Sequence, residues 1–187
     1  MSEFLLAASI PVLGAVYGIT IYNRLVRKRT LAEEAWSGID VQLKRRADLI
    51  PNLVQTVKGY ATHEAETLAE VTRYRGQAQQ ATGQSERQQA EKGLSQALFN
   101  LMAVSENYPE LKADQNFLDL QQALMDLENQ IQLANRYYNG TVRDLNILIE
   151  QFPSNLVARW AKFVKRSFFE LENPQDRIAP VVNFAKS

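Results

Sequence analysis

The distribution of apolar residues divides the chain into an uncharged N-terminal run and a longer region with helical periodicity. Residues 4–22 read FLLAASIPVLGAVYGITIY, a stretch of 19 uncharged and mostly apolar residues. A helix needs about 20 such residues to cross a hydrocarbon core of roughly 30 Å. The run therefore predicts a transmembrane anchor, whose large apolar members are Phe4, Leu5, Leu6, Ile10, Val12, Leu13, Val16, Ile19, Ile21 and Tyr22.

Charged residues on either side of this run predict how it is used. Glu3 precedes the run, and four basic residues follow it closely, namely Arg24, Arg27, Lys28 and Arg29. A cleaved signal peptide has basic residues before its apolar run and a small-residue cleavage site after it, so this order favours a retained anchor. Lysine and arginine beside a membrane span tend to stay in the cytoplasm. We therefore expect a single-pass protein with its N-terminus outside and the rest of the chain inside.

After Tyr22, apolar residues recur every three or four positions, which is typical of amphipathic helices rather than strands. One helical stretch contains Trp36 to Ile50, and the next runs from Asn52 to about Gln79. Pro51 lies between them, and a proline removes one backbone hydrogen bond and clashes with the preceding helical turn. Because the spacing continues across Pro51, the pattern leaves open one long kinked helix or two helices joined by a tight corner.

Two further helices follow in the same pattern. Ser85 and Gln88 fit a capping box that predicts the start of a helix, and this helix stops near Tyr108. Another helix of about 35 residues begins near Asn116 and ends at Pro153. Each helix is amphipathic and needs a partner to bury its apolar stripe. We therefore predict an all-α protein in which the anchor precedes an antiparallel, up-and-down bundle of about four long helices.

These patterns predict three segments along the chain. Residues 1–23 form the anchor, residues 24–152 form the helical bundle domain, and residues 153–187 form an amphipathic C-terminal segment with an extended tail. The heptad-like spacing of the bundle and the pair Gly14 and Gly18 in the anchor are both compatible with a homo-oligomer.

Composition excludes several kinds of chemistry. The chain has no cysteine and only one histidine, His63, so a disulfide framework, a thiolate metal site and a paired Glu-x-x-His metal site are all excluded. The 21 basic and 21 acidic residues give a net charge of zero, which offers no argument for a nucleic-acid partner. No serine has the context of a catalytic triad, and no glycine-rich phosphate loop occurs. We therefore predict a protein that is not an enzyme and carries no cofactor or metal.

Four strings of residues resemble signatures of the LemA family of bacterial membrane proteins. They are EAWSGIDVQLKRRADLIPNLVQTVKGYATHE, AVSENYPELKADQNFLDLQ, RYYNGTVRDLN and QFPSN, and the resemblance covers nearly the whole chain. It implies a membrane helix followed by a helical bundle, a location in the bacterial cytoplasmic (inner) membrane, and no defined catalytic activity. The Tyr-Asn pair of the family pattern stands at Tyr22 and Asn23, and again at Tyr138 and Asn139. Leu145 and Asn146 stand where the pattern usually has a later pair.

Two groups of polar residues are candidates for a special role. Lys44, Arg45 and Arg46 form a basic cluster that suits docking of an acidic partner or phosphate, although salt bridges to neighbouring acidic helix faces are the favoured interpretation. Asn129, Asn135 and Asn139 line or border the apolar stripe of the last helix. Such groups most often fix the register between helices and only sometimes bind a ligand.

The C-terminal region is also a candidate for contact with lipid. A helix over NLVARWAKFVKRSFFEL would place basic side chains opposite apolar and aromatic ones, as in a helix that lies in the interface of an anionic bilayer. The candidate contact residues are Arg159, Trp160, Lys162, Phe163, Lys165, Arg166, Phe168 and Phe169. Capping of the open end of the bundle by these aromatic residues is an equal alternative. The APVVNF stretch of the tail either packs back on the bundle or adds to a partner's sheet edge.

The leading hypothesis is a membrane-anchored scaffold without catalytic activity, which presents polar faces to unidentified protein partners. The alternative is a membrane-remodelling or lipid-binding module that works through the basic aromatic C-terminal segment.

Overall fold

The structure, a computed structural model, describes the backbone of residues 2–170 and the side chains of residues 12–170. Within these residues the chain forms six helices and no strand, which confirms the all-α class. The helices are α1 (Ser2–Tyr60), α2 (Ala65–Gln80), α3 (Gln84–Ser105), α4 (Pro109–Ala113), α5 (Gln115–Glu150) and α6 (Ser154–Trp160).

The helix α1 is continuous through Pro51, so the open question about this proline is answered in favour of one long helix. A proline has no N–H to donate, so the carbonyl of the residue four positions earlier loses its helical partner. That residue is Ala47, and Nε of Arg75 on α2 donates to its carbonyl oxygen at 2.7 Å. A side chain from the neighbouring helix therefore replaces the hydrogen bond that the proline removes.

The prediction of an uninterrupted helix from Asn52 to about Gln79 is wrong at residues 61–64, which form a turn between α1 and α2. Within this turn Ala61 is fully buried and His63 is exposed. Glu64 precedes the first residue of α2, and its Oε1 accepts a hydrogen bond of 3.0 Å from the hydroxyl of Tyr108. The turn lets α2 fold back, so that apolar residues before and after it enter the same core.

The helix predicted to begin near Ser85 exists, but its capping residues differ from the prediction. The N-cap is Gly83, which makes no side-chain capping bond. Instead, Oε2 of Glu86 accepts hydrogen bonds of 3.3 Å from both the N–H and the hydroxyl of Thr82. The helix start is therefore fixed by a side chain that reaches back from the first turn.

The chain divides into two compact units, Met1–Gln42 with Gln130–Phe169, and Leu43–Asn129 with Glu170–Ser187. The core of the second unit is formed by residues from the end of α1, the 61–64 turn, α2, α3, α4 and the start of α5. Its buried members are Ile50, Leu53, Val57, Ala61, Leu68, Val71, Leu94, Ala97, Leu101, Leu111, Phe117 and Leu124.

The first unit buries one stripe from the N-terminal part of α1 and one from the C-terminal part of α5. The members on α1 are Leu25, Ala32, Ala35 and Ile39, and those on α5 are Ile131, Tyr138, Val142, Leu145 and Leu148. The spacing of three, four and seven residues is that of one helix face. An ion pair of 2.8 Å between Nζ of Lys28 and a carboxylate oxygen of Asp144 also joins the two helices.

Among the residues that the structure describes, no helix contains a stretch long and apolar enough to cross a membrane. Four predicted anchor residues, Phe4, Leu5, Leu6 and Ile10, have side chains outside the described set. Of the others, Val12, Leu13, Val16, Ile19 and Tyr22 are exposed, and Ile21 is half-buried. The tail beyond Glu170 also lies outside the described residues.

Candidate functional site

Two asparagines on α5 each bind the main chain of an extended segment near the C-terminus. Asn139 donates from Nδ2 to the carbonyl of Phe169 at 2.9 Å and accepts from the N–H of the same residue, also at 2.9 Å. Asn146 binds Arg166 in the same way, with distances of 2.9 Å to the carbonyl and 3.0 Å from the N–H. Each amide therefore satisfies both polar groups of one backbone residue. We call this pair the asparagine clamp.

The spacing of the clamp matches the geometry of the two elements that it joins. Seven residues separate Asn139 and Asn146, which corresponds to about 10.5 Å along a helix at 1.5 Å per residue. The bound residues Arg166 and Phe169 are three apart, which corresponds to roughly 9–10 Å of extended chain. The earlier asparagine binds the later residue, so segment 163–169 runs antiparallel to α5.

Side chains of the same segment pack against α1 and α5 within the first unit. Phe169 is fully buried, and its ring centroid lies 5.1 Å from that of Trp36 on α1. Trp36 in turn lies 5.4 Å from the ring of the buried Tyr138, whose hydroxyl donates to the carbonyl of Ser167 at 3.1 Å. An aromatic cluster of three rings therefore closes one end of the clamp.

The other inward-facing residues of segment 163–169 also have partners in the first unit. The ring of Phe163 lies 6.0 Å from that of Tyr22 and 5.2 Å from the guanidinium carbon of Arg29. Arg166 forms an ion pair of 2.6 Å with Glu33. Every third side chain of the segment thus points inward, namely those of Phe163, Arg166 and Phe169. A repeat of three residues is the period of a polyproline II conformation.

The predicted C-terminal amphipathic helix is wrong beyond Trp160, where α6 ends. Lys162 has a φ of 56° and turns the chain into the extended segment. Helical propensity is overridden here because the asparagine clamp binds main-chain groups that a helix would use internally. Of the eight candidate lipid-contact residues, Phe163, Arg166 and Phe169 face the first unit. Five are exposed, and they are Arg159, Trp160, Lys162, Lys165 and Phe168; among them, Lys165 pairs with Glu150 at 2.6 Å.

The residues expected to set topology have separate roles. Arg24 and Arg27 are exposed on α1. Lys28 pairs with Asp144, and Arg29 lies over the ring of Phe163.

One end of the first unit exposes an apolar surface formed by α1 and α6. Gly18, Ile19 and Tyr22 on α1 line a cavity of about 410 Å³ together with Val157 and Trp160 on α6. Trp160 is 82% exposed, an unusually high value for tryptophan. Phe152, Leu156 and Val164 are exposed as well. The helix α6 therefore lies beside the last two turns of the run that was predicted to be the anchor.

In the second unit the predicted basic cluster is divided between surface and interior. Lys44 and Arg45 are exposed, whereas Arg46 is only 1% exposed. Arg46 forms ion pairs of 2.6 Å with the buried Glu91 and 2.7 Å with Glu128. The side chain of Arg46 is therefore not part of a docking surface, because it neutralises acidic residues of α3 and α5.

The second unit also carries an apolar groove between α3 and the first turns of α5. Two adjacent cavities of about 260 and 490 Å³ share Phe99 and Met102 on α3. Met125 lines the first cavity and Leu118 the second. Three of these side chains remain in contact with solvent, with Phe99 51%, Leu118 41% and Met125 56% exposed. We call this surface the α3–α5 groove.

Carboxyl groups with displaced pKa values have structural partners. The N–H of Phe117 and then the hydroxyl of Tyr60 donate to Asp114 and lower its pKa. The hydrogen bond from Lys28 lowers the pKa of Asp144. Within the described part of the chain, no three His, Cys, Asp or Glu side chains come together to hold a metal.

The asparagine clamp is the feature that sequence reasoning missed. The sequence pattern predicts that Asn139 fixes the register between helices, and Asn146 stands out in it through the replaced family tyrosine at position 145. The available signal was the repetition itself, since Tyr138-Asn139 and Leu145-Asn146 place a buried residue and an asparagine at the same two positions of successive heptads.

Comparison with known proteins identifies relatives of the chain. A model of the LemA family matches residues 35–184. Protein LemA of Metamycoplasma hominis is 27% identical over 138 residues, which cover 73% of this chain and 63% of that protein. Magnetosome protein MamQ of Magnetospirillum gryphiswaldense is 24% identical over 194 aligned positions, covering 88% of this chain and 71% of that protein. Magnetosome protein MamQ 2 of Paramagnetospirillum magneticum is 30% identical over 81 residues, or 43% of this chain and 30% of that protein.

This chain thus spans less than two thirds of the length of Protein LemA of Metamycoplasma hominis and of Magnetosome protein MamQ 2. The family model, in contrast, covers most of this chain and includes both asparagines of the clamp. The protein therefore belongs to the LemA family.

Proposed function

We propose that this protein is a non-catalytic scaffold anchored in the bacterial cytoplasmic membrane through residues 4–22, with its helical bundle in the cytoplasm. The observation that carries the proposal is the apolar surface shared by α1 and α6 in the first unit. Val16 and Ile19 on α1 and Leu156 and Trp160 on α6 are more than half exposed. Large contiguous apolar surfaces of this kind mark sites of interaction with membranes or proteins.

The position of α6 supports a membrane as the environment of this surface. The helix lies beside Gly18 and Tyr22, which are the last residues of the uncharged run. If the run spans a bilayer, Trp160 lies at the level of the headgroups, where tryptophan is enriched. Arg24 and Arg27 follow the uncharged run on α1, and Arg159 is adjacent to Trp160 on α6, so these basic residues would face the anionic surface of the cytoplasmic leaflet.

The scaffold part of the proposal rests on the chemistry of the polar side chains. The carboxyl groups with lowered pKa values, Asp114 and Asp144, are bound to structural partners rather than poised to exchange protons. Arg46 and Glu91 neutralise each other in the interior. Side chains such as Lys44 and Arg45 remain at the surface, where they are available to protein partners.

Tryptophan fluorescence in lipid nanodiscs tests the membrane contact with the complete chain. The protein has two tryptophans, so Trp36→Phe leaves only Trp160, and Trp160→Phe leaves only Trp36 as the matched control. Lipids brominated near the headgroup should strongly quench Trp160 and leave Trp36, which packs between Tyr138 and Phe169, largely unquenched. Equal quenching of the two tryptophans, or none for Trp160, would contradict the proposed membrane contact.

The alternative function, membrane remodelling by the C-terminal segment, is favoured by the exposure of Trp160 and Lys162. Reconstitution into anionic vesicles at increasing protein density separates the two functions. A scaffold leaves the vesicle shape unchanged in electron micrographs. Tubules that disappear in an Arg159→Gln, Lys162→Gln double variant would support remodelling instead.

A further inference from the structure

The α3–α5 groove in the second unit has no occupant among the described residues, and its position relative to the end of the described chain points to one. We propose that residues 178–184 of the C-terminal tail, IAPVVNF, bind in this groove as an extended segment of the same molecule. The proposal is independent of the membrane anchor and the scaffold role.

The chain leaves the described structure on the helix that forms one side of the groove. The carbonyl of Glu170, the last described residue, accepts a hydrogen bond of 2.9 Å from Nε2 of Gln88 on α3. One face of this helix carries Gln88, Ser95 and Met102, because these residues lie seven positions apart. Ser95 and Met102 line the groove. The tail therefore starts on the face of α3 along which the groove lies.

The length of the tail is sufficient to reach the groove and to fill it. Phe99 is eleven residues from Gln88, or about 16 Å along the helix at 1.5 Å per residue. The eight residues from Glu170 to Ile178 reach up to about 26 Å when extended. Residues 178–184 then cover up to roughly 23 Å, which is enough to pass Phe99 and Met102.

The chemistry of the tail segment suits the groove. Residues 178–184 contain no charge and include Ile178, Pro180 and Phe184 among six apolar residues, whereas charged residues lie on both sides at Arg177 and Lys186. The exposed apolar members of the groove are Phe99, Leu118 and Met125, and Glu106 and Lys112 also line its second cavity. Methionine adapts readily to the shape of a partner. Pro180 favours an extended conformation and lowers the entropic cost of binding.

The match to the LemA family model also ends with this segment, at residue 184. The segment therefore belongs to the pattern that this chain shares with the family.

Methionine NMR of the complete chain in nanodiscs tests the proposal. The three methionines are Met1, Met102 and Met125, and two of them line the groove. Because the chain has no cysteine, Ser187→Cys gives a single site for a spin label. We expect the label to broaden the methyl signals of Met102 and Met125, and deletion of residues 171–187 to shift both signals.

The matched variants Phe184→Ser and Lys186→Ser separate specific binding from mere proximity. Broadening should be lost with Phe184→Ser and retained with Lys186→Ser. Signals of Met102 and Met125 that are unaffected by the label and by the deletion would overturn the proposal. Broadening seen only when labelled and unlabelled molecules are mixed would assign the groove to the tail of a second copy, and would also overturn binding within one molecule.

Discussion

Removal of the asparagine clamp should release segment 163–169 from α1 and α5. Asn139 and Asn146 each make two hydrogen bonds to the main chain. At a net value of about 0.5–1.5 kcal/mol for each bond, replacement of either asparagine by alanine should cost about 1–3 kcal/mol. The cost of Asn139→Ala should lie at the upper end of this range, because Phe169 is fully buried. The N–H of Phe169 would then have neither the asparagine nor water as a partner.

Amide hydrogen exchange reports this loss at individual residues. A cost of 1–3 kcal/mol corresponds to an increase of about 5-fold to 150-fold in the exchange rate of amides that open with the segment. The informative amide is the one at the other end of the clamp, so we expect faster exchange at the N–H of Arg166 in Asn139→Ala, and at that of Phe169 in Asn146→Ala. This reciprocal effect arises because the segment opens as a unit.

The control for this experiment is Gln132→Ala, which removes an exposed amide side chain one heptad before Asn139. It should leave exchange at both amides unchanged. Unchanged exchange at Arg166 in Asn139→Ala would refute the conclusion that the clamp holds the segment cooperatively.

Three further variants test individual side-chain contacts. Arg46→Met should lower the free energy of unfolding in urea by up to about 3–5 kcal/mol, because it removes the nearer basic partner of the buried Glu91 and leaves the longer ion pair of 3.4 Å with Arg87. Gly93→Ala should lower the thermal midpoint, because the added methyl group would overlap the ring of Tyr74, and overpacking costs roughly 1–3 kcal/mol. The pKa of Asp144 is lowered in the folded state, so its contribution is present above the ordinary value of 3.8 and disappears as the pH falls. Asp144→Asn should therefore lower the free energy of unfolding at neutral pH. It should also reduce the loss of this free energy as the pH falls below about 4.

Each of these variants has a matched control in the chain. Arg45→Met removes an exposed charge next to Arg46 and should change stability by less than about 0.5 kcal/mol. Gly76→Ala adds a methyl group to a helix where no atom lies within 4 Å, and should stabilise it by about 0.5–1 kcal/mol. Lys28→Met should reproduce the effect of Asp144→Asn on the pH profile. For Arg46 and Gly93, a variant and its control that behave alike would contradict the assigned contact. For the ion pair between Lys28 and Asp144, different pH profiles of the two variants would contradict it.

The local spacing of apolar residues was sufficient to predict the all-α class, because the apolar stripes of α1, α3 and α5 are long and regular. It could not decide the state of the chain at Pro51, since the hydrogen bond that stabilises the helix there comes from Arg75, which lies 28 positions after Ala47. The turn at residues 61–64 was missed for a related reason. The apolar spacing of α1 continues in phase into α2, so the stripe alone does not show that the chain folds back.

The C-terminal segment shows the limit of side-chain patterns most clearly. Residues 161–169 have the alternation of an amphipathic helix, but Asn139 and Asn146 bind their main chain and Trp36 binds the ring of Phe169. Backbone groups have no signature in the sequence, so a site that recognises them is visible only through the residues that bind, here an asparagine repeated after seven positions.

Recognition through backbone atoms makes the clamp tolerant of one kind of sequence change and intolerant of another. The outward positions Val164 and Phe168 are free to vary during evolution, since their side chains are exposed and the asparagines bind main-chain atoms of Arg166 and Phe169. A single insertion between Asn139 and Asn146, in contrast, would rotate one amide by about 100° around the helix and disconnect it from its partner. Divergent homologues should therefore differ in composition along residues 163–169 while keeping the number of residues between the two asparagines constant.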